Sequence, residues 1–217
     1  MTRGVFLTLF CLLSTVARAG DDFTSRANAP GAGLGPAALP SGATAVYAAV
    51  GIPDIQAGFR QGLGKVELEG RANFNDLDIA LAFEGLAKLR VIDAMRYDFA
   101  PYLGLGFVWN GGATYADVNN AAYVALRIVA GGTTTYVLTP HLRAVGNLEV
   151  PIDAITAPVG TVRARPLIGA GLELSVSDAW SLFLLAQAGL DFRAQPLQAA
   201  TVDFAYGVRL GVGYRLF

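Results

Sequence analysis

The sixteen residues from Val202 to Phe217, VDFAYGVRLGVGYRLF, constrain this chain more than any other stretch. Val202, Phe204, Tyr206, Val208, Leu210, Val212, Tyr214 and Leu216 share one parity, and Asp203, Ala205, Gly207, Arg209, Gly211, Gly213 and Arg215 share the other. A period of two over this length specifies a β-strand with one apolar face and one small or charged face. The apolar face is broad and aromatic, whereas glycines thin the charged face as though it looked into a crowded interior. Such a strand is inside out for water, and lipid is the solvent that fits it.

The same alternation runs back through the chain. Lys65, Glu67, Glu69, Arg71 and Asn73 oppose Val66, Leu68, Gly70, Ala72 and Phe74, and no helix collects those charges on one face. Leu77 to Val91 repeats the pattern, followed by segments beginning near Tyr97, Ala121, Leu142, Val162, Trp180 and Val202. With two weaker segments, Ala43 to Val50 and Ile55 to Arg60, this predicts ten strands; eight is the alternative if the first two fuse or the first stays outside. Short turns are expected at 62–64, 93–95, 139–141 and 177–178, with looser loops at the other end, the longest from Asn110 to Asn120. Pro151 to Gly160 reads as a connection. The fold class is therefore all-β, a transmembrane antiparallel up-and-down barrel spanning residues 43–217, with both termini on one side.

Residues 1–19 have the form of a signal peptide. Arg3 supplies the positive start, Val5 to Leu13 the apolar run, and Ala17-Arg18-Ala19 the small-x-small cleavage site. The apolar run is too short to span about 30 Å of hydrocarbon. The one cysteine, Cys11, lies within that run, so disulfides and thiolate chemistry are excluded from the processed chain. Residues 20–42, rich in Gly, Ala and Pro, read as a flexible periplasmic leader in preference to a folded plug. Without Arg3 and Arg18 the chain carries 14 basic against 17 acidic side chains, and nothing in that balance points to nucleic acid.

The closing segment resembles the last strand of bacterial outer-membrane β-barrels, whose chains typically end in an aromatic residue read by the barrel-assembly machinery. Tyr214 and Phe217 occupy those positions. Phe217 falls on the parity of Arg215, so a bulge at the terminus or fraying by one residue is expected there. In architecture the chain is similar to the OmpA/OmpX class. That resemblance implies an outer-membrane location, periplasmic termini, contact with outer-membrane lipid and the assembly machinery, and a monomer without cofactors.

Arg60, Glu67, Glu69, Arg71, Asp78, Glu84, Lys88, Arg90, Asp98, Arg127, Arg143, Glu149, Arg163, Arg165, Glu173, Asp191, Asp203 and Arg209 fall on the inward parity as a lumen charge network. Each needs a partner or water in so narrow a space. Acids and bases alternate along single strands, which favours a charge-paired, filled lumen over a narrow, weakly anion-selective channel or small-solute transporter. Tyr97, Trp109, Tyr136, Trp180, Phe192 and Phe204 lie near strand ends, as an aromatic girdle requires. Among enzymes, outer-membrane lipid-modifying barrels depend on a histidine paired with Ser or Asp. The single histidine, His141, follows Pro140 in an expected turn, and no catalytic or metal-binding motif is present. The reading is a non-enzymatic barrel with a structural, adhesive or envelope-maintenance role.

Overall fold

A computed structural model describes residues 31–94, 96–112, 121–157, 160–194 and 199–216; the expected signal peptide, residues 20–30 and Phe217 lie outside them. The strands are β1 (Thr44–Ile52), β2 (Asp54–Leu63), β3 (Val66–Asn75), β4 (Ala80–Leu89), β5 (Ile92–Asp93), β6 (Tyr97–Asn110) and β7 (Tyr123–Val137). They continue as β8 (Leu142–Ala157), β9 (Thr161–Ala164), β10 (Leu167–Ser175), β11 (Trp180–Ala194) and β12 (Thr201–Arg215).

Every neighbour pairs antiparallel, and β1 closes on β12 from Ala45 opposite Arg215 to Ile52 opposite Val208. Two staves of the wall are each built from two strands. The short β5 prolongs β4 along β6, and β9 and β10 together lie between β8 and β11. The result is a closed barrel of ten staves, and closure removes the sheet edges that an open sheet would present. No helix of the described residues is long and apolar enough to cross a membrane, as expected where strands make up the wall.

Short connections at 64–65, 94–96, 138–141 and 176–179 gather at one end, together with the start of β1 and the end of β12. The opposite end carries Pro53, the 76–79 turn and the ends of β6, β8 and β11 with the starts of β7, β9 and β12. The first strand therefore begins, and the last strand finishes, at the short-turn end.

Exposure inverts the soluble pattern. Leu105 is 69%, Phe204 70% and Ile168 70% exposed, while Arg60, Glu67 and Glu173 are each 0%. Leaving one Leu or Phe in water forfeits about 1.5–3 kcal/mol. This wall repeats that loss on every stave, so it is built for lipid. Trp180 and Tyr214 meet in register at the short-turn end with ring centroids 4.7 Å apart, and Tyr97 faces Tyr136 at the same end on β6 and β7. Trp109, Phe192 and Phe204 are exposed towards the other end.

Three local expectations change. Leu77 and Ile79 belong to the 76–79 turn rather than to a strand. The stretch expected to connect strands after Pro151 is instead the continuation of β8 to Ala157. Pro151 is tolerated because it sits where β8 exchanges β10 for β9 as its partner, and its carbonyl accepts the Arg165 N–H at 3.0 Å. The largest change concerns the leader. Residues 31–40 are packed inside the barrel mouth, with Ala32, Ala37, Ala38 and Leu39 at most 1% exposed.

Candidate functional site: a charged lumen closed by the chain's own plug

Alternation points one side chain in two into the barrel, and the narrow circumference brings those of opposite walls within reach of one another. At the short-turn end the inward groups do not first meet each other; they meet residues 31–40. Glu173 accepts the N–H groups of Ala32 (3.0 Å), Gly33 (2.9 Å) and Gly35 (2.5 Å), and the Ser181 hydroxyl at 2.6 Å. Arg60 donates to the carbonyls of Gly33 (3.2 Å) and Pro36 (2.7 Å) while its Nε holds Glu67 at 2.8 Å. The Leu39 N–H goes to Glu67, the Ala37 N–H to Asp98 at 3.3 Å, and Arg90 donates to the Ala38 carbonyl at 2.6 Å. Arg143 is buried opposite Glu173 in register.

Deeper in, Lys88 bridges Glu67 (3.0 Å) and Glu69 (2.6 Å), and Glu69 also accepts the Tyr47 hydroxyl. Across the lumen a continuous ladder of ions follows. Glu149 holds Arg71 at 2.9 Å, Arg71 reaches Glu84, and Glu84 holds Arg127 at 2.9 Å. Asp153 then receives both Nε and Nη2 of Arg127, at 2.5 and 2.8 Å. Tyr102 adds its hydroxyl to Glu149 at 3.1 Å. Bidentate, charge-assisted contacts of this kind are the strong members of the hydrogen-bond family, and each satisfies a group whose isolation would be costly. A cavity of about 50 Å³ remains between the plug and this ladder, bordered by Leu34, Tyr47, Lys88, Tyr102 and Arg209, room for a few waters.

Near the loop end, Arg163 holds Asp191 at 2.5 Å and approaches Asp78 at 3.7 Å, and Arg193 reaches Asp191 at 3.3 Å. Asp203 shares the inward parity with Asp191, which it faces in register, and is exposed near the start of β12. Two carboxylates side by side repel, and Asp191 is the one that faces the arginines. Arg209 is bonded to amides: it donates to Gln56 at 2.8 Å and to Gln187. The Nε of Arg165 is buried without a hydrogen-bond partner among the described residues.

The lumen groups Tyr47, Gln56, Tyr102, Asp153, Ser181 and Gln187 were not part of the network expected from the sequence. Asp153 shares the parity of Glu149, so extending the strand past Pro151 would have found it. The plug contacts carry no such signal, because they engage backbone groups and join residues from 24 to 141 positions apart. His141 is exposed in the 138–141 turn, where its N–H lies 3.4 Å from the Thr139 hydroxyl.

No family model and no curated protein matches the sequence. Among solved structures, a de novo designed transmembrane β-barrel aligns at 16% identity and a TM-score of 0.34, covering 82% of this chain and 99% of that one. A bacterial polysaccharide outer membrane secretin aligns at 13% identity and a TM-score of 0.44, covering 78% of this chain and 58% of the secretin. The assignment as a membrane β-barrel fold rests on the closed pairing and the inverted exposure.

Proposed function

We propose that this chain is an integral barrel of a bacterial outer membrane with a sealed lumen, serving as a structural, adhesive or envelope-maintenance element rather than as a conduit or a catalyst. One observation carries the reading: the interior is crossed by the ladder Glu149–Arg71–Glu84–Arg127–Asp153 and its mouth is filled by residues 31–40. Ions that already satisfy one another have little need of water, which supports a filled lumen, and removing one partner of a pair exposes an uncompensated buried charge. In this reading residues 1–19 are a cleaved signal peptide, the short-turn end faces the periplasm, and the barrel is a monomer delivered by the assembly machinery. The test is fractionation with the outer membrane together with heat-modifiable migration in detergent gels. Recovery from the soluble periplasm would overturn it.

A second reading, a narrow anion-selective channel, draws support from Arg209, bonded to two amides, and from the unpartnered Nε of Arg165. Their charge would favour anions if water threaded past the ladder. Bilayer conductance separates the two readings.

A further inference from the structure

Residues 31–40 are held in a way that differs from the rest of the described chain. They join no strand of the sheet, and the wall closes on itself through β1 and β12 without them. They lead into β1 through Ser41 and Gly42, both exposed, with Gly42 at φ +79°. What retains them is recognition of their backbone by buried ionic side chains: Glu173 and Glu67 for N–H groups, Arg60 and Arg90 for carbonyls. This is the chemistry by which a protein binds a peptide ligand, made of charge-assisted bonds to main-chain groups.

The site also has side-chain requirements. Gly33 lies against Phe183 so closely that a Cβ there would overlap the ring. Leu34, next along, packs against the cluster of Tyr47, Ala49 and Phe183. The other polar contacts read only backbone, and Ala37 and Ala38 fill the mouth beside Ala100. Glu173 is satisfied by three plug N–H groups and Ser181, so an empty site would strip this fully buried carboxylate of most of its donors.

We infer that the short-turn mouth is a peptide-binding site for a bent segment of small residues with Gly followed by Leu, occupied in cis by residues 31–40 and able to take the same chemistry in trans. The occupant in trans is the equivalent segment, residues 31–40, of a second copy of this chain.

The experiment starts from the full folded chain carrying a protease recognition sequence between Ser41 and Gly42, cut after folding. Fluorescent peptide GAGLGPAALP is then added and its anisotropy followed. The expected result is saturable binding as the cut segment is displaced, with competition by unlabelled peptide. A Gly33→Val peptide should compete about tenfold or more weakly, because overpacking is not absorbed by a ring already in contact. Glu173→Gln in the barrel should weaken binding of the parent peptide by about tenfold. Absence of binding, or equal competition by the Gly33→Val peptide, overturns the inference. Amide exchange on the uncut chain is an independent test that needs no insertion. The amides of Ala32, Gly33, Gly35 and Leu39 should exchange together, about tenfold or more faster than those of β1 and β12. Exchange only in step with those strands would make the segment a fixed part of the fold and overturn exchangeability.

Discussion

Arg127 and Asp153 stand opposite each other on β7 and β8 and are joined at two points, Nε to Oδ1 at 2.5 Å and Nη2 to Oδ2 at 2.8 Å. Their side chains are 7% and 1% exposed, so no solvent screens the pair. Asp153→Asn should therefore leave a buried guanidinium short of one carboxylate and destabilise the barrel by about 3–5 kcal/mol. The temperature of the heat-modification shift reports this directly. An unchanged temperature would mean that water reaches the pair.

Glu69 and Arg209 offer a contrast at one level of the lumen. Glu69 holds the charge of Lys88 at 2.6 Å, whereas Arg209 is bonded to the neutral amides of Gln56 and Gln187. Glu69→Gln is expected to cost about 3–5 kcal/mol, since it leaves an ammonium underpaired. Arg209→Gln removes the charge along with its bonds and should cost only about 1–2 kcal/mol. Urea titrations of the two variants refolded into lipid vesicles give the order, and the reverse order would contradict a lumen held by ion pairs.

On the outside, Leu105 is 69% exposed near mid-stave and Leu172 45% exposed within β10, nearer the short-turn end. Leu105→Arg or Leu172→Arg should lower stability in vesicles by about 2–4 kcal/mol, the cost of a cation at bilayer depth. The same changes should be close to neutral if that face met water.

Trp109 and Trp180 are the only tryptophans in the chain and lie at opposite ends of the wall. Single-tryptophan variants made by Trp109→Phe or Trp180→Phe should both be quenched most strongly by lipids brominated near the headgroup, because indole prefers the interface. Strongest quenching at mid-chain depth would place the belts elsewhere.

Much of this was legible from alternation alone. The parity of Lys65 to Phe74 and of Val202 to Leu216 sets which side chains face the lumen, because register cannot slip by one without sending arginines into lipid. The extension of β8 was obscured by Pro151, which marks a change of partner rather than an end. The plug was obscured for a different reason. Its Gly, Ala and Pro composition is that of a free linker, and only the assembled ring of Arg60, Glu67, Arg90, Asp98 and Glu173 makes it a ligand. The pairings themselves, such as Arg71 with both Glu84 and Glu149, depend on which walls face each other across the barrel, and strand patterns do not carry that information.

Single-channel recording of the full chain in planar lipid bilayers tests the sealed lumen most directly. With the plug in the mouth and the ladder intact across the interior, the expected record shows no discrete conductance steps at protein levels where heat-modifiable barrel is demonstrably inserted. Reproducible anion-selective steps from that same preparation would contradict a filled lumen.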